Sequence, residues 1–400
     1  MKVLLINAFY GKGSTGTIVK DIESLCLKKG IDCYVASPDI NVKKAKFGIR
    51  IGNSVDHKIH AALCRLFGKQ AYFSSKATLS FIEIVKKIKP DVVHLHNIHS
   101  NFIDQSLFFS FLADHKIATV LTLHDCWFYT GGCFHYTLHN CYKWKEECGK
   151  CPQRYTSIPS LRYRDYTREI LQDRIKIYSR IDNLVTVGVS NWISSEAKKS
   201  CLRNTLIKTI YNGIDTSIFK PMNSDFLKQI GLENKFVILG PASKWLLPEN
   251  TEVLQYFINN MKKDEVLLLF GAISQNQTRH PNIYYYDYVS SKEKLAEIYS
   301  ASDVFVNCSR EDSLSLINLE AQACGTPVVT FGITGLSETV DNISSYRVPV
   351  GNAKMLYEKV SLIKEKKVKP NKLCRDYILA NFKKETNYQR YIGLYYELTK

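Results

Sequence analysis

What most constrains the fold of this chain is a series of short, nearly unbroken apolar runs, each followed by a segment with helical spacing. Lys2 to Ala8 (KVLLINA), Asp91 to Leu95, Ala118 to Leu123 and Leu184 to Ser190 lack the strict alternation of a strand with one wet face. Strands of that kind are covered on both faces, the condition of a parallel sheet sandwiched by helices. Gln105 to His115, and the amphipathic FIEIVKKIKP stopped by Pro90, read as crossover helices. The pattern loosens near residues 212–235 and starts afresh with FVILGPAS. Two blocks of strand-helix units predict an α/β chain of two parallel-sheet, Rossmann-like domains facing across a cleft, with right-handed crossovers. The 400 residues suit two such cores. The expected division is a first domain at 1–210 carrying a Cys-rich insert at 126–151, a second at 211–380, and a Tyr-rich helix at 381–400 that returns to the first.

Doubly wound sheets bind ligands just past the carboxyl ends of their strands. HLHNIH at 94–99 and LHD at 123–125 stand there, so His96, Asn97, His99, His124 and Asp125 are site candidates. A lone histidine is more often a satisfied structural residue, and that reading stands beside the functional one. The first strand runs into GKGSTG, where Gly11, Gly13 and Gly16 let backbone come close to a ligand or to the facing domain. Their spacing is not the dinucleotide fingerprint.

The stretch at 300–331, SASDVFVNCSREDSLSLINLEAQACGTPVVTF, compresses a strand, a polar turn, a helix and a second strand into one corner. Ser313 and Ser315 fall at the expected helix N-terminus, where free N–H groups and the helix dipole favour a diphosphate. Glu320 lies too deep to cap that helix, but its carboxylate can accept two hydrogen bonds from a ribose diol. The plainer reading makes Asp312 a turn residue and Glu320 a solvated helix charge.

Composition is that of a globular protein, with 45% hydrophobic and 23% charged residues. The N-terminal apolar run is too short for a secretory segment and no run is long enough to span a bilayer, so the expected location is cytoplasmic. The net charge of +16 implies an anionic partner: nucleic acid, a membrane surface or a phosphorylated substrate. DHKIHAALCRLFGK at 56–69 puts Ile59, Ala62, Leu63, Leu66 and Phe67 on one side and Lys58, Arg65 and Lys69 on the other. That suits a helix lying on an anionic membrane, or an ordinary surface helix packed on its own domain. The interleaved basic and aromatic clusters of nucleic-acid modules are missing, so no nucleic acid is expected.

Seven of the twelve cysteines are scattered, as buried thiols are. The other five crowd into residues 126–151. Cys133, Cys141 and the C-x-x-C pair Cys148 and Cys151 have the number and type of ligands for a structural zinc, with Cys126 spare. Disulfides in an oxidising compartment are the alternative, and free thiols another.

With these motifs in place, the chain resembles the family-four retaining glycosyltransferases of GT-B fold along nearly its whole length, and within them the bacterial surface-polysaccharide, colanic-acid-like branch. GSTG at 13–16, LTLHDCW at 121–127, the Cys-rich insert, YNGID at 211–215 and LEAQACGTPVV at 319–329 carry the likeness. It implies sugar transfer from a nucleoside-diphosphate sugar to a lipid-linked oligosaccharide, without a catalytic metal. Asp312 and Glu320 take the places of the family's E-x7-E pair, Asp312 being the shorter side chain. As the resemblance implies, His124, Asp312 and Glu320 are the catalytic set, and Gly13, Gly16, Lys244, Arg310, Ser313, Leu314, Ser315, Leu316 and Glu320 serve the donor. His96 and Asn97 lie on the acceptor side, and the protein attaches peripherally to the inner face of the membrane. One position departs from the pattern: where relatives offer a second cation to the diphosphate, five residues after the one matched by Lys244, this chain has Glu249. A GT-B binding protein without catalysis is the alternative that departure motivates.

Overall fold

The computed structural model describes residues 1–155, 164–271, 280–366 and 371–400. The chain divides into two compact units, Met1–Asn212 with Asn387–Lys400, and Gly213–Thr386.

The first unit is built on a seven-stranded, wholly parallel sheet in the order β3-β2-β1-β4-β5-β6-β7. Its strands are β1 (Lys2–Ile6), β2 (Asp32–Ser37), β3 (Phe47–Arg50), β4 (Val92–Leu95), β5 (Ala118–Leu123), β6 (Leu184–Gly188) and β7 (Leu206–Thr209). The unbroken apolar runs become its centre: β4, β5 and β6 are buried at every residue. Edge strand β3 lies in the polar, Lys-rich stretch, has no buried residue, and carries no apolar run to announce it.

The second unit repeats the plan with six parallel strands in the order β10-β9-β8-β11-β12-β13. These are β8 (Phe236–Pro241), β9 (Glu265–Phe270), β10 (Ile283–Tyr286), β11 (Val304–Asn307), β12 (Val328–Phe331) and β13 (Tyr346–Val348). Ile238, Trp245, Phe257, Leu267, Val306 and Val329 share its buried core. A Cβ at Gly240 would lie 2.1 Å from the Trp245 indole nitrogen, so only glycine admits that ring, whose N–H donates to the Val306 carbonyl at 3.0 Å.

In each sheet the strand order reverses once, between β1 and β4 and between β8 and β11. Chain leaving such neighbours diverges to opposite faces and opens a crevice at their carboxyl ends. In the first unit that crevice is edged by Asn7, His96 and Asn97; in the second by Pro241–Lys244 and the loop after Asn307.

The C-terminal helix Lys384–Leu398 ends inside the first unit. Tyr391 and Tyr395 are buried there, with the Tyr395 hydroxyl 2.6 Å from His94 Nδ1 and the Tyr391 hydroxyl 3.1 Å from Thr122 Oγ1. Among the described residues no helix is long and apolar enough to cross a membrane.

Candidate active site

At the switch point of the first unit, β1 and β4 are stitched beyond their last paired residues. The Ala8 N–H donates to the Asn97 carbonyl at 2.9 Å, and the Asn97 N–H to Asn7 Oδ1 at 3.0 Å. His96 follows β4 with no exposed surface, stacked between His94 at 4.0 Å and His124 at 5.2 Å between ring centroids. Its Nδ1 is 2.9 Å from His124 Nε2, while its own Nε2 is buried without a partner. The ring is thus enclosed by the two imidazoles, with His124 the more exposed of the two. His124, after β5, is partly exposed. Burial pushes its imidazole down to about 4, with His99 adding to the fall and Asp125 opposing it, so at neutral pH it is an uncharged donor and acceptor. His99 and Asp125 satisfy each other at 3.1 Å, the structural role lone histidines more often have.

Gly13 opens the helix Gly13–Lys28 with φ of +65°, and a Cβ at Gly16 would press at 3.2 Å on the Phe9 backbone. Gly16 lets the turn pack closely on itself, and a side chain there would need Phe9 to shift by a few tenths of an ångström.

In the second unit the helix Leu316–Ala323 begins where expected, with Ser315 as its N-cap. Ser315 Oγ does not cap; it accepts from Asn307 Nδ2 at 3.1 Å, and the same amide bonds Asn318 at 2.9 Å. The Asp312 carboxylate accepts from the Leu314 N–H at 3.1 Å, so the plain turn reading of this residue is met in the fold. Ser313 and Leu314 are buried, Leu316 is half-buried, and the Ser313 hydroxyl oxygen has no partner among the described residues. The Ser313 carbonyl is crossed so closely that a Cβ at Gly335 would stand 1.8 Å from it. Glycine at 335 therefore fixes the height of this loop.

Glu320 sits on the second turn of the helix, not as a solvated charge. Burial pushes its carboxyl up to about 7, against the pull of Lys292 and of the Tyr299 hydroxyl, which donates to it at 3.3 Å. Lys244 lies in the short helix Ala242–Trp245 and is half-buried, close enough to Cys308 for its charge to act on that thiol. Arg310 is less free. Its Nε donates to Asn250 Oδ1 at 3.0 Å and its Nη2 to the Glu249 carbonyl, so the guanidinium spends two of its three nitrogens holding the 249–250 turn. The Glu249 side chain is exposed.

Tyr299, Asn307 and Gly335 were not evident from sequence. Each acts across a gap of several elements, and no local pattern marks a tyrosine or a glycine for that. In the cysteine insert, Tyr129, Tyr136 and Trp144 form a buried aromatic cluster, Tyr136 donating to Glu196 of the helix Asn191–Ala197. None of the twelve cysteines, all among the described residues, is in a disulfide.

Two doubly wound units, one with a carboxylate and a helix N-terminus at its switch point, are an arrangement suited to a nucleotide or diphosphate ligand. Family models agree: "Glycosyltransferase Family 4" matches residues 16–218 and "Glycosyl transferases group 1" matches 236–365. The chain belongs to this glycosyltransferase family, and its fold is GT-B. It is similar to an uncharacterised 41.2 kDa protein in the cps region of Klebsiella pneumoniae, 24% identical over 96% of each chain. It is also similar to a protein of Escherichia coli K12 named as the colanic acid biosynthesis glycosyl transferase WcaC, 22% identical over 82% of each. Among solved structures, Anabaena HepE in complex with UDP superposes with a TM-score of 0.68 at 13% identity, covering 98% of this chain and 99% of that one. The protein is a glycosyltransferase of GT-B type.

Proposed function

We propose that the chain moves a hexosyl group, with retention at the anomeric carbon, from a nucleoside-diphosphate sugar to a lipid-linked saccharide. The observation that carries this reading is the carboxylate of Glu320 set one turn inside the helix that Ser315 opens, beside the loop fixed by Gly335. Glu320 takes the ribose diol and Asp312 the sugar hydroxyls, with His124 offered to the sugar as a neutral imidazole. Lys244 and the backbone from Ser313 to Leu316 meet the charge that grows on the leaving diphosphate. Arg310 supports them by holding the turn at 249–250, and Gly13 and Gly16 let the first helix begin close to the donor. Asn97 borders the acceptor, with His96 behind His124.

In the transfer the bond from the anomeric carbon to the diphosphate oxygen breaks and a bond to the acceptor oxygen forms on the same face. The acceptor proton passes to the departing phosphate. No catalytic metal is required by this scheme, because Lys244 and the helix N-terminus supply the positive charge. HepE holds UDP, which favours a uridine diphosphate donor. Val55, Ile59, Ala62 and Leu66 form an exposed ridge on the helix Ser54–Phe67, flanked by Lys58 and Arg65, and this face is read as the contact with the anionic inner surface of the membrane. Cys133, Cys141, Cys148 and Cys151 are read as ligands of a structural zinc.

The test is a panel of UDP- and GDP-sugars, with calorimetric binding and product release measured for the wild type, Glu320→Ala and Asp312→Ala. One donor is expected to bind and turn over, with both variants losing at least about 100-fold in kcat/KM. Unchanged turnover in Glu320→Ala would refute the assignment, and binding without turnover of any donor with lipid-linked acceptors would favour the noncatalytic alternative that Glu249 suggests.

A further inference from the structure

Arg174 lies on the helix Thr167–Tyr178 with 1% of its surface exposed. Its Nη1 donates to the carbonyls of Trp127 and Thr130, and its guanidinium stacks on the Trp127 ring at 3.9 Å. Nε and Nη2 are buried with no partner, and among the described residues no carboxylate stands within ion-pair distance of it. A guanidinium cannot shed its proton to escape burial, so an anion is missing from the account. The Thr130 carbonyl it holds leads into Gly131, where an added Cβ would stand 3.0 Å from Cys148 Cβ, and its charge acts on Cys148 as it does on Cys201, Tyr178 and Tyr72.

Cys148 shares a cavity of about 20 Å³ with Cys133, Cys141 and Cys151, and Lys143 and Trp144 complete its wall. That volume admits one atom-sized occupant. The Gly131 N–H donates to Cys148 and the Gln153 N–H to Cys151, while burial raises both thiols, so in the absence of an ion they stay protonated. Lys143 Nζ binds the Gly149 and Lys150 carbonyls at 3.1 Å, bracing the C-x-x-C turn with a second cation. Among the described residues no three Cys, His, Asp or Glu side chains stand in ligating geometry, so an ion here requires the four sulfurs to draw closer than they stand; Gly132 and Gly149, both at positive φ, lie in the loop that carries them.

We propose that Arg174 is the built-in counter-charge of a zinc–tetrathiolate centre formed by Cys133, Cys141, Cys148 and Cys151; this rests on the zinc reading of those cysteines. Binding releases four thiol protons to solvent, and Zn²⁺ with four thiolates carries −2. Arg174 on the buried side and Lys143 on the exposed side bring the assembly to neutrality. The centre then does two things at once: it staples the insert that follows His124, and it supplies the anion that lets a buried arginine hold the Trp127 and Thr130 carbonyls.

The experiment uses the full chain purified without chelator. Elemental analysis is expected to find about one zinc per chain, and cobalt(II) exchange to give thiolate-to-metal absorption. Zinc release to a chromogenic chelator is then timed for the wild type, Arg174→Lys and Arg174→Gln, the last keeping an amide donor for the carbonyls but no charge. Arg174→Lys should release within about threefold of the wild type and Arg174→Gln about 10- to 100-fold faster, the usual weight of an outer partner on metal retention. Absence of zinc together with absence of cobalt–thiolate absorption overturns the metal reading and Arg174's role with it. Zinc present but released at the wild-type rate from Arg174→Gln overturns the role of Arg174 alone. Should Arg174→Gln fail to accumulate, loss of zinc from folded Arg174→Lys overturns it as well.

Discussion

The Tyr299 hydroxyl stands 3.3 Å from a Glu320 carboxylate oxygen, and burial still lifts that carboxyl to about 7. The ribose diol needs an ionised acceptor, so UDP affinity should fall as pH drops below about 7, with one proton released on binding. Stability of the unliganded protein runs the other way. A carboxyl raised above its unfolded value favours the fold at pH below about 4.5 and loses that advantage as pH rises through 7, by roughly 2–4 kcal/mol. Glu320→Gln should flatten both profiles, and Tyr299→Phe should move the binding midpoint to higher pH. Calorimetry in buffers of different ionisation enthalpy reads the proton; a midpoint unmoved by Glu320→Gln assigns it elsewhere.

The His94, His96 and His124 stack predicts acid lability. Burial holds all three imidazoles down, His124 at about 4. Their unfolded forms titrate near 6.5, so the stability they lend is whole above that pH and is lost as pH falls toward 4. His124→Asn should remove roughly 2 kcal/mol of that loss, measured by urea unfolding at pH 7.5 and pH 5. Parallel pH profiles in variant and wild type would contradict it.

Gly335→Ala puts a methyl 1.8 Å from the Ser313 carbonyl. The loop has to rise, at a cost of about 2–3 kcal/mol, and UDP affinity should fall at least tenfold with it. If melting temperature drops and affinity does not, the loop from Ser313 to Leu316 is not the diphosphate cradle.

Glu249 is an exposed carboxylate whose carbonyl, not side chain, holds Arg310. Glu249→Lys keeps that bond and replaces a repelling charge by an attracting one. UDP binding should tighten about 5- to 10-fold, more at low salt. No change would place the side chain away from the diphosphate. Lys244→Ala in the same assay should weaken binding about 100-fold.

The central strands were legible because burial on both faces leaves an unbroken apolar signature in β4, β5 and β6, and the two-block alternation followed from them. The helix at 316–323 was legible from its spacing, and its N-cap fell on Ser315. Strand β3 was hidden because an edge strand with no buried residue has no apolar signal to carry. What escaped in the candidate site was non-local. Tyr299 meets Glu320 and Gly335 passes under Ser313, while Arg310 turns back onto residues 249–250. None of these contacts alters a local pattern. His96 shows the same limit from the other side: sequence placed it at a strand end, but the rings of His94 and His124 that seal it are two and 28 positions away.

The first unit is completed by residues 387–400, whose tyrosines hydrogen-bond to His94 and Thr122. A ribosome delivers all of Gly213–Thr386 before those tyrosines emerge. The second unit, contiguous in the chain, is therefore free to finish folding first, while the earlier-made sheet waits with the space beside His94 open. The N-terminal half is thus the last to mature, and a truncated chain lacking Tyr391 and Tyr395 should engage chaperones through its first unit and not its second.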